Sequence, residues 1–477
     1  MRSRSHGLLR RSATAFVLVV ASGLTGCMVG PNYRRPAVSI PDSYRGAISP
    51  PESESLADLE WWKVFTDPRL QELIRKALAQ NYDLREAVAR VDAARSNLGI
   101  VRADQYPNLA AGANIQANRA SRNGAIPLSP VIMPNQNRVF GGATLAMLSF
   151  EADIWGRLRR ATEAARANLL AAEENRKAVV TTLVSDVATA YFTLCELDSE
   201  LDISRRTLAS RKESLDLIQT RQRGGLSTLL DIRQAEELVY SAEDAIPAVE
   251  QRIAQTENRI NLLLGMNPDS VIRGRGLAEQ QPPPAVPAGL PSALLARRPD
   301  IRAAEQDLIA ANARIGVARA AYFPRISLTG FLGGQSTQLS DLFGPPNSVW
   351  NFAPQLTAPI FMAGRLGANV ELAKAERAGA LAVYEKAIRT AFAEVSDALI
   401  AHQKLRERRT RQEMLVKALQ DRTRLAYVRY HGGVDSLLNA LDADRSLFQA
   451  QLALRQVILN ELLSVVQLYK ALGGGWT

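Results

Sequence analysis

Residues 429–442 read RYHGGVDSLLNALD, and the two glycines stand inside one of the longest proline-free, helix-forming stretches of the chain. Adjacent glycines cost an ordinary helix interior roughly 1 kcal/mol each. A second copy, RQRGGLSTLL at residues 221–230, places Gly224 and Gly225 208 positions before Gly432 and Gly433. Glycine reaches the left-handed conformation that ends a helix. Each pair therefore predicts a turn after which a second helix runs back along the first.

Working outward, the two copies follow one order. A helical stretch, Leu70 to Ala103, leads into YPNLAAGANIQANR, a polar loop and TLAMLSFEADIWGR; LLARRPDIRAAEQDLIAANARIGVARA leads into YFPRISLTGFLGG, a loop and VWNFAPQLTAPIFMAGR. The distances from Arg157 to Arg223 and from Arg365 to His431 are both 66 positions. At about 1.5 Å per residue each is a rod of roughly 100 Å, which needs lateral support. The stripe Leu183, Val187, Ala190, Leu194, Leu197, Leu201, Ser204, Leu208, Arg211, Leu215, Ile218 supplies it, stepping by four and three as coiled coils do, with polar lapses at Ser204 and Arg211. The second rod has a shorter stripe, Ile388, Phe392, Val395 and Leu399, and turns polar at His402. Pro247 is expected to kink or split the returning helix of the first copy.

The segments before the rods alternate instead. Leu109, Ala111, Ala113, Ile115 and Ala117 share one face, opposite Asn108, Gly112, Asn114, Gln116 and Asn118. Trp350, Phe352, Pro354, Leu356, Ala358 and Ile360 likewise oppose Asn351, Gln355 and Thr357. Period two over about ten residues suits a membrane-spanning β-strand, and equally a half-buried strand of a soluble sheet. Beyond the N-terminal signal no run of about 18 consecutive apolar residues is present, so a crossing would have to be made by strands. Four strands cannot close a barrel, because the smallest spanning barrels have eight. A barrel would have to be shared between chains.

The N-terminus reads as a secretory signal: the basic MRSRSHGLLRR, the apolar ATAFVLVVASGL, then LTGC ending at Cys27. That ending resembles a bacterial lipobox, so Cys27 is expected to carry lipid and to begin the mature chain. Cys195 then has no partner and reads as a small buried apolar residue. Residues 1–26 hold four Arg and no acids, which takes the formal charge from +10 to +6 on maturation. With both signs interspersed this is a solvated surface, with no footprint for nucleic acid. Three His, and no HExxH, GxSxG or GxxxxGK[ST] motif, leave neither a catalytic nor a metal constellation. No enzyme and no cofactor beyond the covalent lipid are expected.

Several stretches together resemble the outer-membrane factor (TolC-like) family, in its lipoprotein, NodT-like branch serving resistance-nodulation-division efflux systems. They are CMVGPNYRRP, WWKVFTDPRLQELI, ADIWGRLRRATEAARANLLAA, LLARRPDIRAAEQDLIAANARIGVARAAYFPRISLTG, RYHGGVDSLLNALDADRS and YKALGGGW. The resemblance implies an α+β membrane protein: a homotrimer whose four strands per chain form one twelve-stranded outer-membrane barrel, continued by a periplasmic coiled-coil barrel. It implies a passive channel for drugs or other toxic small molecules, joined to a periplasmic adaptor and an inner-membrane transporter. Met28 after the lipidated Cys27 fits sorting to the outer membrane. It also implies a periplasmic gate just after the second turn: a hydrophobic ring at Leu438, an acidic ring at Asp442 partnered by Arg445, and supporting contacts at Tyr430 and Asp435. Leu438, Asp442 and Arg445 stand at i, i+4 and i+7 on one helix face. The bland alternative makes Leu438 coiled-coil core and Asp442 a surface carboxylate.

The expected organisation is a signal (1–26), a lipidated extended segment (27–69), a first repeat (70–263), a linker (264–290), a second repeat (291–472) and a short tail (473–477). Three other readings compete: a periplasmic adaptor, a structural coiled-coil lipoprotein, and a protein-secretion channel of the same fold. An adaptor should have one hairpin within β-rich domains, and a structural coiled coil has no use for alternating strands.

Overall fold

The computed structural model describes residues 28–47, 55–119, 121, 137–280 and 287–475; the signal segment and Cys27 lie outside them. After a single helical turn, α1 (Trp61–Val64), come α2 (Pro68–Gln80) and α3 (Tyr82–Ala103), then β1 (Leu109–Arg119) and β2 (Asn137–Glu151). The first long pair is α4 (Arg157–Arg223) and α5 (Leu229–Leu263). The second half repeats the order with α6 (Pro291–Arg297), α7 (Pro299–Ala320), β3 (Arg325–Ser336), β4 (Ser348–Thr357), α8 (Arg365–His431) and α9 (Leu437–Ala471). Both rods have 67 residues and both return helices 35, each pair offset by 208 positions.

Three expectations need correction. The helical stretch from Leu70 breaks at Asn81, whose side chain accepts from Leu84 N (2.9 Å) and donates to Leu263 O (3.0 Å), so it caps α3. Of the two outcomes expected at Pro247, kink or split, the split is absent: Pro247 sits inside α5, which runs unbroken from Leu229 to Leu263. Strand β4 stops at Thr357, so Ala358 and Ile360 fall in the connection to α8.

The chain divides into two units. The first comprises the chain up to Pro36, Asp92–Ala171 and Glu305–Val383. Its centre is an antiparallel sheet in the order β1-β2-β3-β4. Directly opposed residues share a face, and the register sorts the faces by polarity. Ala111 opposes Leu145, which opposes Leu332, which opposes Trp350. Leu109, Ile115, Met147, Phe352 and Leu356 fall on that same face. The other carries Asn114, Gln116, Thr144, Thr329, Asn351 and Gln355, interrupted by Phe140 and Phe331. The apolar face is bare: Ile115 is 84% and Trp350 77% exposed. A continuous uncovered apolar sheet face is what a protein in water avoids and a lipid-facing barrel wall requires.

The second unit comprises Ala37–Val91, Ala172–Ala304 and Tyr384–Thr477. Its core follows the stripe read on α4, with Leu183, Val187, Ala190, Leu194, Leu197 and Ile218 all buried. On α9, Val457, Ile458, Leu462, Val465, Val466 and Leu468 are buried as well. Among described helices α4 alone contains an 18-residue stretch apolar enough to cross a bilayer by composition, and 61% of that stretch is buried inside the fold. It is a core helix here. A buried carboxylate, Asp67, gathers the surrounding loops: it accepts from Tyr191 OH (2.7 Å), Gln280 Nε2 (2.7 Å), Arg69 N (2.9 Å) and Arg275 N (3.1 Å). These donors outweigh burial and hold its pKa below the usual carboxylate value. Cys195 is buried nearby, with Sγ 3.7 Å from Arg275 O, and burial pushes its thiol up to about 12.

Each hairpin is antiparallel, as its cross-links record. Arg205 pairs with Glu250 (2.8 Å) and Lys212 with Glu243 (2.7 Å), one number rising as the other falls. In the second hairpin Gln412 donates to Ala450 O (3.1 Å) and Arg422 pairs with Asp442 (2.7 Å).

Candidate functional site

Both turns are built alike at the backbone. In the second, Val434 N donates to Arg429 O and Gly433 N to Tyr430 O (both 3.0 Å), and Gly433 has φ +70°. In the first, Leu226 N donates to Arg221 O (2.8 Å) and Gly225 N to Gln222 O (2.9 Å), with Gly225 at φ +76°. This is the helix-ending motif in which a left-handed residue lets late carbonyls find donors. Only the second glycine of each pair has positive φ; Gly224 and Gly432 finish the helix.

The copies then diverge in their side chains. Thr228 caps α5 by accepting from Asp231 N, and Asp231 reaches back to Thr228 N (2.7 Å). Ser436 makes no such bond. Instead Asp435 accepts from Asn439 Nδ2 (2.6 Å), Ser436 N (2.9 Å) and Arg429 Nε (3.2 Å), and these bonds lower its pKa. Asp435 thus braces the turn.

Beyond it, Leu438, Asp442 and Arg445 lie along one uncovered face of α9, while Leu437, Ala440 and Leu441 on the other face are buried. Leu438 is 57% exposed and so is not coiled-coil core within its own chain. Asp442 is chelated by two guanidiniums, Arg422 Nη2 on Oδ2 (2.7 Å) and Arg445 Nη2 on Oδ1 (2.9 Å). Hydrogen bonds from Arg422 first and Arg445 second hold its carboxyl below the usual range. The Arg445 contact is the one expected from i, i+3 spacing. Arg422 and Asp442 lie on opposite sides of the Gly-Gly turn, and the antiparallel return of α9 along α8 is the sequence signal that could have found the contact.

Tyr430 stands elsewhere. It is 7% exposed, with the Arg221 guanidinium 4.9 Å over its ring, and belongs to a core of Ile218, Ala235, Leu238, Leu437, Ala440 and Leu441. Both hairpins contribute to that core, so Tyr430 joins the two tips and does not flank Leu438 on the open face. Arg211 is visible in the sequence as a polar lapse, but its partners are not. The polar lapse it makes in the α4 stripe is filled by an ion pair to Asp444 (2.7 Å), a bond to Leu238 O (2.9 Å) and the Phe448 ring at 5.1 Å.

The first-copy counterparts of Tyr430, Asp435, Asp442, Arg445 and Arg422 are Gln222, Ser227, Gln234, Glu237 and Ser214. The Arg422–Asp442–Arg445 cluster is therefore peculiar to the second hairpin.

Comparison with known proteins gives a consistent result. A profile described as outer membrane efflux protein matches residues 73–266 and 290–474. The toluene efflux pump outer membrane protein TtgC of Pseudomonas putida is 40% identical over 477 residues, spanning 99% of this chain and 96% of that protein. Outer membrane protein OprJ of Pseudomonas aeruginosa is 37% identical over 467 residues, 96% of this chain and 95% of its own. Among solved structures, the open state of the Neisseria gonorrhoeae MtrE outer membrane channel superposes with a TM-score of 0.84 at 34% identity, covering 94% of this chain and 99% of that one. The TM-score of 0.84 over 94% of the chain carries the likeness through the strands and the long helices alike. The chain belongs to the outer membrane efflux protein family and is the outer-membrane channel component of an efflux pump.

Proposed function

We propose that three copies of the chain close one twelve-stranded barrel and one helical conduit, gated at the second hairpin tip, through which an inner-membrane resistance-nodulation-division transporter and a periplasmic adaptor expel small toxic compounds. The observation that carries the assembly is the open sheet. Four strands with a bare apolar face and two edges that are unpaired among the described residues are a barrel wall that only further copies can complete. Relatives described as toluene, solvent and antibiotic efflux proteins point to small apolar or amphiphilic cargo. Lipid on Cys27 would add a second membrane attachment at the start of the mature chain.

In this reading the exposed face of α9 turns to the threefold axis. Leu438 forms an apolar ring there and Asp442 an acidic ring below it, held in place by Arg422 and Arg445. Like charges around a narrow axis favour cations and repel each other. The two arginines offset that repulsion and so hold the tips together.

The test is Asp442→Ala. Without the carboxylate each chain brings two unneutralised guanidiniums, Arg422 and Arg445, to the converged tips, and their mutual repulsion, on the order of 1–3 kcal/mol, burdens the closed state alone. That is about a tenfold shift toward open channels. Conductance in planar bilayers should rise and cells should become sensitive to large antibiotics. Unchanged conductance together with unchanged uptake would sink the gate.

A further inference from the structure

GPNYRRP (residues 30–36) is one of the stretches that carry the family resemblance, yet the channel reading gives it nothing to do. In the first unit it meets two more of those stretches, IWGRLRR (154–160) at the start of α4 and Glu305–Gly316 of α7. Arg160 is the hub. Its side chain is 2% exposed; Nε donates to Val29 O (3.2 Å), Nη2 to Asn32 Oδ1 (2.7 Å) and Gly30 O (3.3 Å), and Nη1 to Glu163 (2.7 Å).

The rest of the segment is held residue by residue. Val29 N donates to Trp155 O (3.0 Å), Asn312 Nδ2 to Pro31 O (2.9 Å) and Tyr33 OH to Glu305 (3.1 Å), and Arg35 Nε reaches the same carboxylate (2.8 Å). Two approaches admit only glycine. A Cβ on Gly30, at φ +101°, would fall 2.5 Å from Gly316 Cα, and one on Gly156, at φ +76°, would fall 2.9 Å from Met28 Cγ. A buried guanidinium stripped of these carbonyls would keep one partner, Glu163, and a buried cation left short of partners is strongly destabilising. Segment and hub therefore require each other.

What the clamp positions follows from where it ends. Met28 packs on Gly156, five residues past Glu151, the last residue of β2. The lipid-bearing residue is one peptide bond, about 3.8 Å between Cα atoms, before Met28. We propose that Arg160, with Asn32, Asn312 and the Gly30–Gly316 contact, is a positioning site for the lipid anchor. It delivers the acyl chains to the root of the sheet, so that lipid and strands enter the membrane as one unit and the anchor promotes barrel assembly. The inference rests on the lipid-anchor reading of Cys27.

The experiment uses the full chain expressed with its signal, as wild type, Cys27→Ser, Asn32→Ala, the stronger Arg160→Gln, and the double variant Cys27→Ser/Asn32→Ala. Three quantities are read: the mass of the N-terminal peptide, hydrogen exchange over residues 28–35 and over the hairpins, and the fraction of chain in heat-resistant outer-membrane trimer. Loss of a charge-assisted bond should lower protection over residues 28–32 about tenfold in Asn32→Ala, with lipid retained and hairpin protection unchanged. Cys27→Ser and Asn32→Ala should each lower the trimer fraction, and the double variant should be no worse than Cys27→Ser alone, because the clamp acts through the lipid. Multiplying losses in the double variant, or full trimer yield in both clamp variants, overturns this inference alone. A wild-type N-terminal peptide without lipid overturns the anchor reading and this inference together.

Discussion

Arg211 and Asp444 form one of the contacts that tie the two hairpins together. Their pair is nearly buried and ties the first rod to the second return helix, where a coiled-coil pattern asks for an apolar residue. Removing one partner of such a pair costs about 3 kcal/mol because the other charge is left stranded. Arg211→Ala should therefore lower the unfolding midpoint in detergent by several degrees, and Asp444→Asn by less, because the amide can still accept a hydrogen bond. Glu196 is a second buried charge on α4, and burial pushes its carboxyl up to about 7, with Glu200 adding to the effect. A carboxyl whose folded pKa is raised stabilises the fold in its protonated form, and that contribution is lost as pH rises from the unfolded value of 4.5 through about 7. Glu196→Gln should thus raise the thermal midpoint at pH 8 and leave it unchanged at pH 4.5; equal shifts at both would contradict the burial argument.

At the scale of elements, the Gly-Gly turns divide their work unequally. Gly433 has φ +70° and open space around a would-be Cβ, so Gly433→Ala meets only the left-handed penalty of about 1 kcal/mol. Gly432 keeps negative φ and finds its nearest atom, Val428 O, at 3.4 Å, so Gly432→Ala should be close to neutral. Urea unfolding of the two variants, with Gly225→Ala and Gly224→Ala as first-copy controls, checks the order. The polarity of the second hairpin has a physical basis as well. His402 is buried and bonded to Ser464 Oγ (3.0 Å), and burial holds its pKa below the ordinary value. Its first-copy counterpart is Leu194, part of the apolar stripe. Protonating His402 must disfavour the fold, so acid loosens the second hairpin selectively as pH falls below about 6.5.

For the whole molecule, the bare apolar sheet face makes a definite demand. A chain with this face exposed is insoluble alone, and detergent or lipid must cover it. The protein should resist extraction by salt, come out in detergent, and elute far above the 52.1 kDa of one full-length chain, at about three times the protomer mass by light scattering. A protomer-sized particle would refute the shared barrel. Its two sheet edges, unpaired among the described residues, give the same expectation from hydrogen bonding, since β1 and β4 each present a row of backbone groups that lipid cannot satisfy.

Local pattern was enough to read much of this. Helix rods from Arg157 and Arg365, their turns at Gly-Gly and the alternating strands follow from period, propensity and the absence of proline, all properties of neighbouring residues. Family motifs then supplied the assembly and pointed to Leu438, Asp442 and Arg445. Other features depended on which distant residues meet. Arg422 reaches Asp442 across the turn, Tyr430 turns inward to the other hairpin, and Arg211 fills a lapse in the stripe with a partner 233 positions away. Arg160 gathers residues about 130 positions earlier in the same way. Periodicity says which face of a helix is buried, but a buried charge is tolerated only where a particular partner arrives, and that partner is chosen by packing in three dimensions.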